Sequence, residues 1–148
     1  MPFTARLIAA LAMLMTTSFA VHAEQSQSMG DYVIHYNAFA TGDLSPAIAK
    51  TYGITRSKNR ALLNVTVLKK VLGTPGQPVT GQLKVSAINL SRQMQNLEPR
   101  EVKEGNAIYY LTEFTIADQE IIDFTLDVTP EHQTETAHIQ FRQQFFTH

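Results

Sequence analysis

Four cations fall close to one aromatic ring: Lys50, Arg56, Lys58 and Arg60 lie on either side of Tyr52 or just beyond it. A local excess of positive charge in a loop is suited to receiving an anionic group, and loops carry binding residues more often than their share of a chain. A second set mixes hydrogen-bonding and aromatic side chains: His35, Asn37, Arg56, Ser57, Asn89, Arg100, Tyr109 and Tyr110. Tyrosine joins an apolar body to a polar tip. Such residues form either a recognition surface or a polar network that fixes strand order. The alternatives differ under mutation, because losing a network member costs stability and losing a surface residue does not.

Spacing gives little support to other chemistries. Asp123 and Asp127 share a strand face with Thr125 between them, outside a buried alternation, and read as a solvated face rather than an acid/base pair. His35, His132, His138 and His148 could offer imidazole to copper or zinc, but no H-x-H or H-x-x-x-H places two rings together, so neither metal nor cofactor is expected. There is no G-x-S-x-G elbow, H-E-x-x-H, S-x-x-K, phosphate-cradling glycine loop or Cys nucleophile, and the chain is expected not to be an enzyme. Asn64-Val65-Thr66 and Asn89-Leu90-Ser91 match the glycosylation pattern, yet both fall in predicted strands, where a glycan has no room.

The elements that must position these residues are mostly strands. Tyr32, Ile34 and Tyr36 alternate with Val33, His35 and Asn37, a period-2 pattern that predicts the first strand. One helix follows: Ser45 can cap, Pro46 suits the first helical position, Ile48 and Tyr52 share a face, and Gly53 can take the left-handed C′ conformation. It spans about two turns, too short to stand without packing. Strands are then predicted over 61–69, 79–90, 93–100, 107–114, 121–128 and 136–146, with Gly73 to Pro78 a loop and the polar segment 93–100 an edge strand ending at Pro99. About seven strands with turn signals at regular intervals predict an all-β antiparallel sandwich of the immunoglobulin-like kind, with one short helix after the first strand; a barrel is the second choice.

Composition bounds the rest. The chain has 148 residues, 44% hydrophobic, with 12 Lys+Arg against 13 Asp+Glu and neither Cys nor Trp. That fits one small domain and excludes a multidomain enzyme, a disulfide scaffold, a zinc ribbon and a polyanion-coating basic protein. Residues 1–23 read as a cleaved signal peptide, with Arg6 as n-region, Leu7 to Phe19 as the apolar stretch and Val21-His22-Ala23 as the cleavage site. The mature chain is expected to start at Glu24, with 24–30 a loose arm and 31–148 a single sandwich domain without a membrane span. Its charge is segregated. Residues 44–97 hold no acid and carry Lys50, Arg56, Lys58, Arg60, Lys69, Lys70, Lys84 and Arg92, whereas 98–148 are strongly acidic. Strands from the two parts could pair and neutralise one another.

Several of these residues together carry a resemblance: Gly30-Asp31-Tyr32, His35-Tyr36-Asn37, Leu44, Pro46, Ala49, Tyr52-Gly53-Ile54, Arg56-Ser57, Asn64-Val65, Asn89-Leu90, Arg100-Glu101 and Ile108-Tyr109-Tyr110. In this order the mature chain resembles a family of small exported proteins of Gram-negative bacteria known as domain of unknown function 4426. The resemblance implies a periplasmic address and a sandwich fold, and no activity. The expected role is therefore a non-catalytic interaction or binding module, its partner an envelope protein or a small anionic ligand and not nucleic acid. In the alternative of a small-ligand carrier, Arg56, Lys58 and Arg60 hold an anionic head group while the helix covers an apolar slot.

Overall fold

The computed structural model describes residues 25–148. The expected signal peptide and Glu24 lie outside them. Ten strands form two antiparallel sheets: β1 (Gln25–Met29), β2 (Tyr32–Ala40), β3 (Arg60–Lys69), β4 (Gln77–Pro78), β5 (Gly81–Asn89), β6 (Met94–Leu97), β7 (Arg100–Glu104), β8 (Ala107–Thr115), β9 (Ile121–Pro130) and β10 (Ala137–Gln144). The larger sheet runs β1-β2-β3-β8-β7, with β4 also paired to β3, and the smaller runs β10-β9-β5-β6. The helix α1 (Pro46–Tyr52) follows a short 3-10 turn after β2. The fold is the all-β sandwich with one short helix that the alternation predicts.

Every long strand sends alternate side chains inward. Ile34, Leu63, Val65, Val67, Phe124, Leu126, Val128 and Ile139 are essentially inaccessible, and they meet between the sheets. Aromatic rings fill the centre: Phe124 stacks on Phe141 at 4.7 Å, and Phe114 meets Phe124 edge-on at 5.4 Å. Edge-on and offset contacts of this kind add roughly 0.5 to 1.5 kcal/mol beyond burial.

Three expectations need correcting. Residues 25–29 are not a loose arm: Gln25 to Met29 pair with β2 through a two-residue turn at Gly30-Asp31, where Gly30 takes φ +55°. An edge strand needs only its backbone groups paired, so a polar Gln/Ser run suffices. The segment 93–100 is not one edge strand. Its first part, β6, pairs with β5 in the smaller sheet, the chain crosses at Glu98-Pro99, and β7 pairs with β8 in the larger. Proline cannot donate to a ladder, so the crossing falls where no bond is lost. Finally, Gln77-Pro78 pair with Lys69 and Leu68 instead of staying in the preceding loop.

The segregated charges meet across both sheets. β3 pairs with β8 and β5 with β9, so Arg60 lies beside Glu113 at 3.5 Å and Lys84 sits opposite Asp127.

Candidate functional site

Alternation fails in one place, and there the larger sheet is covered on both faces. Ala61, Leu62 and Leu63 are consecutive on β3 and all buried, as are Tyr110, Leu111 and Thr112 on β8. Leu62 and Leu111 point away from the sandwich interior into a second apolar cluster with Ala49 and Ile54, bordered by Phe39, Leu44, Tyr52, Val102 and Tyr109. The cover is α1. Its first turn is capped by the Ser45 hydroxyl, which accepts the Ile48 N–H at 3.2 Å, and Gly53 ends it at φ +65°, a conformation that a side chain would strain.

Both ends of the excursion that carries α1 are tied down. Thr41, fully buried, accepts the Ser57 N–H at 2.9 Å and donates toward the Thr55 carbonyl at 2.9 Å, while the Gly42 N–H bonds the Ser57 carbonyl at 3.2 Å. At the far end the Tyr52 hydroxyl donates to the Glu104 carboxylate, and the Arg100 guanidinium donates to the Tyr52 carbonyl. Donation to Glu104, with some desolvation, pushes the Tyr52 phenol up to about 12. The Tyr52 ring meets Tyr109 edge-on at 6.1 Å.

Between α1 and the sheet a pocket of about 210 Å³ remains, lined by Phe39, Leu44, Ile48, Tyr52, Ile54, Leu62, Asn64, Tyr109 and Leu111. Its wall is apolar apart from the two phenols and one amide. The Oδ1 of Asn64 is buried and has no hydrogen-bond partner among the described residues. A buried acceptor left unpaired costs about 1 to 3 kcal/mol, a cost the rest of the fold must offset.

A larger crevice of about 440 Å³ opens at one end between the sheets, lined by Thr80, Gly81, Glu101, Glu131, His132 and Gln133 among others. Most of its polar groups satisfy one another: the Thr80 hydroxyl donates to Glu131, Tyr110 donates to Glu101 at 2.9 Å, and Gln133 donates to the Tyr32 hydroxyl at 3.2 Å. The smaller pocket, mostly apolar with a few polar residues, is the better candidate.

Of the residues singled out in the sequence, Tyr52, Arg100 and Tyr109 meet at this pocket. Asn37 lies on the same sheet face directly opposite Asn64, and His35 lies opposite Thr66. The others lie apart. Tyr110 faces the sandwich interior, and Asn89 is the last residue of β5, bonded to Gln93 at 2.8 Å. The basic loop is largely engaged in its own structure. Arg56 donates to the Gly42 carbonyl at 3.1 Å, Ser57 organises the loop base, and Arg60 faces Glu113, which leaves Lys50 and Lys58 exposed. Phe39, Leu44, Ile48, Ile54, Leu62, Asn64 and Leu111 were not indicated as site residues. For Leu62 and Leu111 the signal was the apolar runs in β3 and β8, which mark a strand buried on both faces.

The geometry has counterparts among known proteins. Residues 26–148 match the family model described as Domain of unknown function (DUF4426). A crystal structure of a DUF4426 family protein from Pseudomonas aeruginosa PAO1 is 34% identical, covering 84% of this chain and 96% of that one, with a TM-score of 0.71. FetP from uropathogenic Escherichia coli strain F11 is 11% identical with a TM-score of 0.53, covering 84% of this chain and 94% of that one. A copper-bound variant of FetP gives 11% and 0.55, over 83% and 95%. At that identity the likeness is one of fold. No curated protein matches the chain. Among the described residues no three His, Cys, Asp or Glu side chains gather where they could hold a metal ion.

Proposed function

The chain belongs to the DUF4426 family, and we propose that it is a non-catalytic binding module of the periplasm that seats a small ligand beneath α1. The observation that carries this reading is the mostly apolar pocket of about 210 Å³ between α1 and the larger sheet, with the phenols of Tyr52 and Tyr109 and the residue Asn64 among its lining. Binding sites of this type are mostly apolar, with a few polar groups that fix orientation. Two features of the residues argue against chemistry at the site: its wall holds no nucleophile paired with a base, and its titratable phenol, Tyr52, is held protonated by Glu104. Support for export comes from the sequence of residues 1–23. An anionic ligand at the basic loop is less well supported, since Arg56 and Arg60 already have partners.

The test is native mass spectrometry of the exported protein purified from its own host. Wild type should carry a small molecule that dissociates at low collision energy, and Ile48→Arg, on the half-exposed wall of the pocket, should carry none. A guest retained equally by the variant would move the site elsewhere, and a wild type with no guest would overturn the reading. Protein recovered from the same preparation should begin at Glu24; retention of residues 1–23 would overturn the periplasmic assignment.

A further inference from the structure

We propose that two copies of the chain pair through the free edge of β10, antiparallel, so that their smaller sheets join into one. An unpaired edge offers a row of backbone donors and acceptors to any strand that meets it, and folded proteins guard such edges by shortness, charge or proline. Among the described residues the two sheets end in four edge strands, and three of these are guarded. β1 is only five residues long, β6 is four residues long and is soon followed by Pro99, and β7 carries Arg100, Glu101, Lys103 and Glu104 in five positions. β10 has none of these devices. It runs for eight residues, Ala137–Gln144, without proline or glycine, in an unbroken register with β9.

The charges that β10 does carry are engaged within its own sheet. Arg142 donates to both carboxylate oxygens of Asp123, at 2.7 and 2.9 Å, and His138 meets Asp127 at 2.6 Å, with Lys84 opposite Asp127 on its other side. A strand that approaches the edge therefore meets no uncompensated charge. The register also fixes which backbone groups it meets. The Phe145 N–H bonds the Glu120 carbonyl at 2.8 Å, one step beyond the β9–β10 ladder, so Ile139, Phe141 and Gln143 direct their backbone groups at β9 while His138, Gln140, Arg142 and Gln144 direct theirs outward. The His138 carbonyl agrees, since it accepts the Gln27 side-chain amide of β1 at 3.4 Å. That bond is long, and it leaves the second lone pair of the carbonyl open.

The occupant is a second copy because this edge is its own complement. A two-fold axis at Gln140 sets Gln140 opposite itself and each His138 opposite the other copy's Arg142, so that outward N–H groups face outward carbonyls along the whole contact. Each base keeps its own carboxylate on β9. On the inner face the same register brings Ile139 against the other copy's Phe141, a half-buried ring at the margin of the core. Aromatic and β-branched side chains opposite one another are a favourable cross-strand pair. Assembly stops at two copies, because the other edge of this sheet is the short, proline-flanked β6.

The experiment is sedimentation equilibrium of the exported mature protein over a range of concentrations, for wild type, Gln140→Ala and Gln140→Pro. Proline at 140 removes an N–H that points away from β9, and it favours the extended conformation that Ile139 already has, so the ladder with β9 is kept. Wild type and Gln140→Ala should show a monomer–dimer equilibrium, and Gln140→Pro should stay monomeric where wild type is mostly dimer. A wild type that is monomeric throughout, or a dimer that Gln140→Pro retains, would overturn the proposal. Amide hydrogen exchange of wild type gives a second readout that needs no variant. The Gln140 and Arg142 amides should exchange about tenfold more slowly in the dimer than after dilution, while those of Ile139 and Phe141, already bonded to β9, change little. Fast exchange at Gln140 within a dimer would place the contact on another surface and overturn the role of β10.

Discussion

The hydroxyl of Tyr110 on β8 accepts the backbone N–H of Gly81 on β5 at 2.9 Å, and so ties one sheet to the other. The same hydroxyl donates to Glu101; burial first, opposed by the Gly81 N–H and aided by Glu101, pushes its phenol up to about 12. A Cβ at position 81 would lie 2.9 Å from the Thr129 carbonyl, so the approach depends on glycine. Tyr110→Phe keeps the ring and strands the Gly81 N–H. The expected loss is about 1 to 3 kcal/mol, seen as a Tm lowered by roughly 4 °C per kcal/mol; an unchanged Tm would show that water replaces the hydroxyl without cost.

Ser45→Ala removes the side-chain acceptor at the start of α1. Loss of such a cap costs about 1 kcal/mol, and it should be felt locally, as faster amide hydrogen exchange at Ile48 and Ala49 with the exchange of β9 unchanged. Uniform acceleration across the domain would mean that α1 and the sandwich unfold as one unit.

Arg56 is exposed and makes one hydrogen bond, to the Gly42 carbonyl at 3.1 Å. Arg56→Ala should therefore shift stability by no more than about 0.5 kcal/mol in thermal unfolding. A loss of several times that would place Arg56 in a structural network after all.

The Tyr52 hydroxyl gives a pH dependence of known sign. Its folded pKa of about 12 lies above the ordinary tyrosine value of 10.0, chiefly because it donates to Glu104. The contribution is thus complete below the unfolded pKa and is lost as pH rises from about 10 to about 12. Wild type should lose stability relative to Tyr52→Phe across that window, and its phenolate absorbance should show a late titration step missing from the variant. Parallel stability curves would indicate that Tyr52 ionises alike in the folded and unfolded chains.

Much of the architecture was legible because burial imposes a period. In β9, Ile122, Phe124, Leu126 and Val128 alternate without interruption, and the Ser45-Pro46 start and Gly53 stop of α1 follow from backbone chemistry alone. β1 was not legible because Gln and Ser carry no alternation; its one signal was the Gly30-Asp31 pair, a two-residue hairpin turn between Met29 and Tyr32. β7 was hidden for a related reason, since its one partly buried residue, Val102, faces α1 and not the sandwich interior. Tyr52, Arg100 and Tyr109 stood out as polar residues, but Asn64 drew notice only in a glycosylation pattern and in the run that carries the family resemblance. Nothing in one sequence reveals that a mid-strand amide is left without a partner, because that depends on what α1 covers.

The crossing at Glu98-Pro99 divides the molecule in a way that bears on how it folds. The stretch before it supplies β1 to β6 and the stretch after it β7 to β10, so each sheet is assembled from both halves, and the central ladders, β3 with β8 and β5 with β9, are all formed between them. Neither half closes a sheet alone. Such distant pairings must await loop closure, which makes folding slow relative to a chain of local hairpins. The same boundary separates the basic stretch from the acidic one. Opposite charges thus draw the halves together before any ladder forms, and added salt should slow refolding more than it weakens the finished fold.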